Sequence, residues 1–257
     1  MNTLKRTAYL LGLPVLLIAF WYVSTIGSTS FFVPKPVELV QTFVDVWIGD
    51  RFFEDVIPSV TNLITGIILA IVLGVSFGVM IGSLRWLRNL TEPPLEFFRA
   101  LPPPVLVPVL MLLIGINDTM KVSVIVLGAI WPVLLNTVEG VRAVDSVLAD
   151  SAKTYGINGW AKIRYLVVPS AGPQIAAGIR QCLSIALILM VISEMFASSS
   201  GLGFAIVQFQ RSFAIPEMWS GIVVLGLIGI IMSFIFQWTE RRALRWYHGL
   251  REVENAG

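Results

Sequence analysis

Residues 59–83 read SVTNLITGIILAIVLGVSFGVMIGS, a run of 25 residues without a charged side chain. An α-helix rises about 1.5 Å per residue, so about 20 apolar residues cross the ~30 Å hydrocarbon core of a bilayer. The run is therefore predicted to be a transmembrane helix. The whole chain shares its character, because 56% of the residues are hydrophobic and only 13% are charged. Such a composition leaves too little polar surface for a soluble globule and predicts a polytopic membrane protein.

Six runs approach the length of a span, which predicts an all-α protein with about six transmembrane helices. They are Tyr9 to Ile26, Ser59 to Ser83, Pro103 to Ile116 with an apolar lead-in from Leu95, Lys121 to Val138, Ile175 to Phe196, and Trp219 to Trp238. Pro108 is expected to kink the third run, because proline interrupts the helical hydrogen-bond ladder. The first run lacks a small-residue cleavage site, which favours a retained anchor over a signal peptide.

The distribution of Lys and Arg predicts how the chain crosses the membrane, since basic residues are retained on the cytoplasmic side. With the N-terminus inside, thirteen Lys and Arg fall in cytoplasmic segments and four in external ones. Both termini are therefore predicted to be cytoplasmic. Residues 1–58 then form an anchor and an external amphipathic segment, 59–241 a membrane domain, and 242–257 a cytoplasmic tail.

The external segment between the first two runs has apolar residues at helical spacing. They are Val37, Val40, Phe43, Val44 and Trp47. This pattern predicts a short amphipathic helix at the outer interface, with a plain connector as the alternative.

The second run carries small residues four positions apart, which lie along one stripe of a helix. They are Gly66, Ala70, Gly74, Gly78 and Gly82. Small side chains let another helix approach closely in lipid. The stripe therefore predicts a helix contact, either within this chain or with another subunit.

The sequence contains no phosphate-binding loop, no His-Glu-x-x-His and no Gly-x-Ser-x-Gly motif. A single cysteine, Cys182, excludes a disulfide framework, and a single histidine, His248, excludes the usual clustered zinc sites. The acidic residues are scattered over loops rather than gathered into a catalytic group. The chain is predicted not to be an enzyme and to hold no metal or cofactor.

Polar residues inside the spans are candidates for a translocation path, because a charge at the centre of a helix in lipid costs roughly 2.5 to 3.5 kcal/mol. The candidates are Asn136 and Thr137 in the fourth run, with Arg180, Gln181, Ser184 and Glu194 in the fifth. Side chains that reach from the ends of a span to the interface are the alternative, above all for Arg180 and Glu194.

The segment between the fourth and fifth runs is predicted to be a docking surface, since it retains helix-forming residues. Asp145 is expected to cap a helix through Tyr155, and Gly156 to end it in the left-handed conformation. Ser151 and Ala152 are expected at an exposed bend, where the groove of a partner closes around the backbone. Beyond them, Asn158 is expected to cap a second helix with an apolar side that includes Trp160. Pro169 and Pro173 are expected to bend the chain towards the fifth run.

This segment reads Asp150-Ser151-Ala152-Lys153-Thr154-Tyr155-Gly156, nine residues, then Leu166-Val167-Val168-Pro169. It resembles the EAA loop of ABC importer permeases, written Glu-Ala-Ala-x-x-x-Gly, nine residues, Ile-x-Leu-Pro. Asp150 and Ser151 depart from that pattern, whereas Ala152, Gly156 and Pro169 match it. Other stretches are similar to the branch that imports sulfonates, taurine and nitrate. They are Phe32 to Pro36, Arg99 to Pro103 with Val107-Pro108, Gly115-Ile116, Pro132 with Asn136-Thr137, Gly140-Val141, Gly178 to Arg180, and Glu194 followed by Ser199 to Gly203.

The resemblance implies the type I ABC importer permease fold, with a cytoplasmic coupling-helix loop in the inner membrane. It implies that the loop contacts an ATPase through Asp150, Ser151, Ala152, Lys153, Gly156 and Pro169. The implied partners are two cytoplasmic ATP-binding subunits, a second permease copy in a homodimer, an external solute-binding protein and the lipid bilayer, without nucleic acid. The implied cargo is a sulfonate, taurine, nitrate or similar anion. A vitamin precursor of the pyrimidine or riboflavin type is the alternative cargo, and a stand-alone secondary transporter or a scaffold subunit is the alternative class.

Overall fold

The computed structural model describes residues 3–28, 30–196 and 198–247, with side chains from residue 12 onward in these ranges. Residues 248–257 of the predicted tail, and His248 with them, lie outside the described residues. The helices are α1 (Thr3–Thr25), α2 (Pro36–Trp47), α3 (Ile57–Ser83), α4 (Arg85–Ala100), α5 (Leu106–Ile114), α6 (Asp118–Arg142), α7 (Ser146–Thr154), α8 (Gly159–Lys162), α9 (Val168–Phe196), α10 (Leu202–Arg211) and α11 (Ile215–Ala243). Short π-helical turns, Phe52–Val56 and Ile163–Val167, lead into α3 and α9.

Four helical runs among the described residues are long and apolar enough to cross a membrane. They are Phe52–Ser83, Asp118–Arg142, Gly159–Phe196 and Ile215–Ala243. The bent pair α4 and α5 makes a fifth if it counts as one span, and α1 adds a shorter apolar stretch, Gly12–Thr25. The predicted all-α, multi-pass membrane protein is confirmed. Five of the six predicted runs each lie on one helix, and the third is divided between α4 and α5.

The central helix of the bundle is α6, which packs against α3 on one side and α9 on the other. The small residues of α3 face α6 throughout. A Cβ atom added to Gly66 would lie 2.5 Å from Ile125, and one added to Gly78 would lie 2.5 Å from Thr137. The stripe therefore makes a helix contact within this chain, the first of the two predicted alternatives.

The bundle has two ends, defined by the directions of its central helices. α3 and α6 run parallel, whereas α9 is antiparallel to α6, so that Gly128 faces Leu189 and Gly178 faces Pro132. We call the end where α6 finishes and α9 begins the loop end. The opposite end, the far end, holds the start of α6, the end of α9, and α10.

The third predicted span is wrong in its boundaries. Leu95, predicted as an apolar lead-in, lies in α4, and α4 makes an angle of 84° with the segment Pro103–Ile114. The break falls at Leu101 and Pro102, with ψ angles of 128° and 118°. Each precedes a proline, whose ring disfavours the helical conformation at the residue before it, although Glu92 and Pro93, which also precede prolines, are helical in α4. The kink predicted at Pro108 is absent, because Pro108 lies in the first turn of α5, where a missing N–H breaks no intrahelical bond.

Helix α4 presents three different faces. One face, with Leu87 and Leu95, packs against Ile81 and Val138 of the bundle. A second exposes apolar side chains, namely Trp86, Leu90 and Phe97. The third is charged, with Arg85, Arg88, Glu92, Glu96 and Arg99. Amphipathic helices of this kind are typical of the membrane–water boundary. α4 begins at the loop end, directly after α3, and ends beside the middle of α6, where Phe98 stacks on Trp131.

The segment between the first two predicted runs forms a helix rather than a plain connector, whereas its location outside the membrane stays a prediction. Pro36 occupies the first position of α2, where its fixed φ favours the start of a helix. Leu39 and Trp47 are buried, while Val40 is exposed. Trp47 Nε1 donates a hydrogen bond of 2.8 Å to Ser220 Oγ, which fastens α2 to α11.

Candidate functional site

The segment after α6 begins with a capped helix. Asp145 Oδ1 accepts hydrogen bonds from the backbone N–H groups of Val147 (2.7 Å) and Leu148 (3.1 Å). The side chain thus satisfies two of the donors that the start of a helix leaves without a partner. The predicted cap is confirmed, and it fixes the place at which α7 leaves the end of α6.

The other end of α7 is closed by the predicted glycine. Gly156 has a φ of 71°, in the left-handed region. Its N–H donates to the Lys153 carbonyl at 3.1 Å, and the Ile157 N–H donates to the Ala152 carbonyl at 2.8 Å. This pair of bonds is a Schellman motif, which satisfies the last carbonyls of the helix. Both ends of α7 are therefore set by local sequence.

One side of α7, which we call the α7 face, consists of Val147, Leu148, Ser151 and Tyr155. Val147, Leu148 and Tyr155 are 70%, 54% and 83% exposed. Contiguous apolar side chains in water mark an interaction surface. Of these four residues only Ser151 was predicted to be exposed, although the spacing of all four places them on one side of a helix.

Ser151 and Ala152 were both predicted to be exposed to solvent, and only one of them is. Ser151 is exposed as predicted, whereas Ala152 is buried, with 7% of its surface exposed. The prediction for Ala152 is wrong because α7 packs against the Ile163–Val167 turn and so needs a small residue on its inner side. Asp150 and Lys153 are exposed elsewhere on α7.

The second predicted helix is not separate from the next span. Asn158 precedes α8 as predicted, but its side chain makes no capping hydrogen bond. Trp160, predicted on an apolar side, is 73% exposed. From Gly159 the chain continues as one helical run to Phe196, so the bend predicted at Pro169 and Pro173 is wrong.

The π turn explains how the helix continues past Pro169. The Val168 N–H donates to the Ile163 carbonyl, five residues back. Pro169 has no N–H to donate, and the wider turn makes room for its ring. The segment that carries the α7 face is therefore followed, after one glycine turn, by a helix that runs to the far end.

Two of the six predicted path residues lie in helix contacts. Thr137 is fully buried where α3 meets α6, and its Oγ1 donates to the Val133 carbonyl at 2.6 Å. Asn136 lies against Gly178 where α6 meets α9, and its Nδ2 donates to the Pro132 carbonyl at 2.8 Å. Both polar groups are thus satisfied by their own helix.

Three others lie on the surface of α9. Gln181 and Ser184 are exposed, and neither makes a hydrogen bond within the described part of the chain. Arg180 forms an ion pair with Glu240 of α11 at 2.6 Å, between Nη2 and Oε2. Gln174 continues the exposed polar stripe of Gln181 and Ser184 towards the loop end.

The sixth residue, Glu194, is 1% exposed at the far end. Ser59 Oγ lies 2.7 Å from its Oε1, and the Gly203 N–H donates to its Oε2 at 2.9 Å. The structure therefore does not bring the six residues to one surface. Their assignment to a path stays a prediction.

The family model described as "Binding-protein-dependent transport system inner membrane component" matches residues 66–245. The chain belongs to this family. The permease is 30% identical over 246 residues to a putative aliphatic sulfonates transport permease protein of Bacillus subtilis, covering 94% of this chain and 89% of that protein. It is 32% identical over 242 residues to the riboflavin transport system permease protein of Chloroflexus aurantiacus, covering 92% of this chain and 90% of that protein.

The fold of the permease is similar to that of a chain in the methionine ABC transporter MetNI, solved in inward-facing conformations. The TM-score is 0.63, at 16% identity, over 74% of the permease and 94% of that chain. The predicted type I ABC importer permease fold is thus confirmed. The permease is a transport subunit rather than an enzyme, since its relatives are ABC transporter permeases. Membership of the family implies a solute-binding protein and ATP-binding subunits as partners.

Proposed function

We propose that the permease is the membrane subunit of an ATP-driven importer for a small anion, such as a sulfonate, taurine or nitrate. A separate ATP-binding subunit supplies the energy, and an external binding protein delivers the solute. The similarity to the sulfonate permease of Bacillus subtilis, along 94% of this chain, supports this class of cargo.

The riboflavin permease of Chloroflexus aurantiacus, at 32% identity, supports a second cargo class, a vitamin precursor. The two classes differ in size and charge, so the binding protein that works with the permease distinguishes them. The cargo is identified by titrating that binding protein with taurine, an alkanesulfonate, nitrate and riboflavin, in separate experiments. Binding is detected as a change in tryptophan fluorescence. Binding of riboflavin without binding of any anion contradicts the anion assignment.

In this proposal the loop end faces the cytoplasm, with both chain termini on the same side. Basic residues cluster at the loop end, where the positive-inside rule expects them. They include Arg85, Arg88, Arg142 and Lys153. We keep the division into an anchor with its external segment (1–58), a permease domain (59–241) and a cytoplasmic tail (242–257). The family match over 66–245 supports the middle region.

The observation that carries the proposal is the α7 face. A capped helix with exposed Val147, Leu148 and Tyr155 lies at the loop end, between the central helix α6 and the run that becomes α9. A partner that binds this face can displace α6 and α9 together. We assign this partner as the ATP-binding subunit, and we assign the coupling segment as Asp150, Ser151, Ala152, Lys153, Gly156 and Pro169.

Replacing Leu148 by Asp is expected to release the ATP-binding subunit. A charge placed among apolar contacts acts as the loss of an interface hot spot, worth about 2 kcal/mol or more. The copurified ATP-binding subunit should therefore fall by about thirtyfold. Asn89→Asp is the control, because it adds the same charge at the loop end on α4. Equal copurification of the Leu148→Asp and Asn89→Asp proteins contradicts the assignment of the α7 face.

The exposed polar stripe of α9 supports a second permease copy. Gln174, Gln181 and Ser184 lie on a membrane-spanning helix and have no hydrogen-bond partner in the described part of this chain. Polar groups left in lipid are costly, so such residues face protein or water. We therefore place the path along this stripe, between two copies, with Asn136, Thr137, Arg180 and Glu194 in the helices around it.

Replacing Gln181 by Leu is expected to slow uptake about tenfold by removing a hydrogen-bonding group worth about 1.4 kcal/mol from the path. Binding of the ATP-binding subunit should be unchanged, because Gln181 lies far from the α7 face along α9. Uptake of radiolabelled solute into vesicles measures the effect. Gln237→Leu on α11 is the control for loss of an exposed glutamine in a span. An equal loss of uptake in both variants contradicts the path.

A further inference from the structure

Three consecutive backbone N–H groups at the start of α10 are held by side chains from other parts of the chain. The Gly201 N–H donates to Asp55 Oδ1 at 2.9 Å. The Leu202 N–H donates to Ser59 Oγ at 2.9 Å. The Gly203 N–H donates to Glu194 Oε2 at 2.9 Å. The first N–H groups of a helix have no intrahelical partner, and here three distant side chains supply the acceptors.

The three acceptors are themselves connected and shielded from solvent. Asp55, Ser59 and Glu194 are 6%, 0% and 1% exposed. Ser59 Oγ lies 2.7 Å and 2.9 Å from the two Glu194 oxygens and 2.8 Å from the Asp55 carbonyl. One hydroxyl thus links the π turn before α3, the end of α9 and the start of α10. Hydrogen bonds between groups shielded from water are strengthened by the low local dielectric.

The glycines at this site are required by the contact. Gly201 has a φ of 110°, which residues with a side chain rarely adopt, and a Cβ there would lie 2.6 Å from Glu194 Cδ. A Cβ on Gly203 would lie 2.5 Å from the Val191 carbonyl oxygen of α9. The backbone of α10 therefore rests directly on α9. At Gly203 the nearest atom is a backbone oxygen, which cannot move aside as the end of a side chain can.

We propose that Asp55, Ser59 and Glu194 form a lock that fastens α10 to α9 and α3, so that α10 moves as one body with α9. α9 spans 29 residues, about 44 Å, from the π turn at the loop end to the lock at the far end. A displacement at the loop end then reaches α10 without an intervening hinge. The transport part of this inference rests on the proposed function, in which the α7 face receives the displacement.

The lock gives Glu194 the role of a positioning residue rather than a group that touches the solute. Both carboxylate oxygens are occupied by Ser59 and Gly203. An open cleft of about 460 Å³ lies at the far end. It is lined by Gln208 and Arg211 of α10 and by Ser198. The lock fixes the placement of this cleft relative to α9.

Hydrogen exchange of the peptide that contains Leu202 and Gly203 tests the lock without any transport assay. In Glu194→Ala the exchange of these amides is expected to accelerate about tenfold or more, as a buried donor loses its acceptor. Glu194→Gln keeps an oxygen acceptor and should stay within about threefold of the native rate. Glu217 is an acid at the same end of the bundle but outside the lock, so Glu217→Ala should not change the exchange rate of this peptide. Unchanged exchange in Glu194→Ala overturns the lock.

Ser59→Ala provides a second variant if Glu194→Ala fails to fold. It removes the acceptor of the Leu202 N–H and the link to Glu194, and should accelerate exchange of the same peptide. Normal protection in a folded Ser59→Ala protein likewise overturns the lock.

Stimulation of ATP hydrolysis by the loaded binding protein tests whether the lock transmits movement. Glu194→Ala should retain basal hydrolysis and binding of the ATP-binding subunit but lose most of the stimulation, and Glu194→Gln should restore it. Normal stimulation in a Glu194→Ala protein with accelerated exchange overturns the transmission. Absence of stimulation in the native complex contradicts the proposed function instead. The hydrogen-exchange experiment still tests the lock in that case, because it does not depend on transport.

Discussion

Replacing Gly156 by valine is expected to remove most of the solute-stimulated ATP hydrolysis while the protein still inserts and folds. Gly156 has a φ of 71°, and a Cβ added there would meet no atom within 4 Å, so the penalty comes from the backbone and not from a clash. The left-handed conformation costs a residue with a side chain about 1–2 kcal/mol, and β-branching adds to it. The native turn, and with it the placement of α7, should then be depopulated by about five- to thirtyfold.

Two variants define the control for this prediction. Gly156→Asn should keep most of the stimulation, since asparagine tolerates the left-handed region. Gly49→Val adds the same side chain at the far end, at a glycine without a positive φ and with open space around it. The measurement is ATP hydrolysis in the reconstituted complex with and without the loaded binding protein. Stimulation of the Gly156→Val complex at the native level contradicts the coupling role of α7.

Replacing Gly78 by valine is expected to cause a large loss of stability in the bundle. The new Cβ would lie 2.5 Å from Thr137 Cβ and 2.9 Å from the Leu134 carbonyl oxygen, so α3 and α6 must separate. Overpacking a close contact costs about 1–3 kcal/mol, and backbone atoms on the facing helix place this site at the upper limit. For a chain of this size the unfolding midpoint in detergent should fall by about 6–12 °C.

Gly226→Val is the matched control, because a Cβ on Gly226 in α11 meets no atom within 4 Å. Thr137→Gly in the Gly78→Val background should recover part of the midpoint, since it removes the closest atom. The unfolding midpoints of the variants are compared by heating each protein in detergent and measuring the remaining folded protein by size-exclusion chromatography. Equal midpoints for Gly78→Val and Gly226→Val contradict close packing of α3 on α6.

The spans and α7 could be predicted from the sequence, because residues close together in the chain determine them. Apolar length predicted the spans, and Asp145 and Gly156 predicted both ends of α7. The break between α4 and α5 was also within reach, since Leu101 and Pro102 each precede a proline. The prediction gave more weight to Pro108, a position that the first turn of α5 tolerates.

The far-end contacts were not accessible, because they depend on tertiary structure. Ser59 and Glu194 are 135 residues apart, and Asp55 and Gly201 are 146 apart. No periodicity or spacing connects such residues. From the sequence, Glu194 had two interpretations, a path residue or a side chain that reaches the interface from the end of a span. Its partners became visible only when α3, α9 and α10 were placed together.

Uptake by proteoliposomes tests the central claim, that ATP hydrolysed by a separate subunit drives import through this permease. The vesicles contain the permease and its ATP-binding subunit, with the loaded binding protein outside and ATP or a non-hydrolysable analogue inside. We predict accumulation of solute above its external concentration with internal ATP only, and none when the ATP-binding subunit is left out. Accumulation at the same rate without ATP, or without the ATP-binding subunit, would contradict the account.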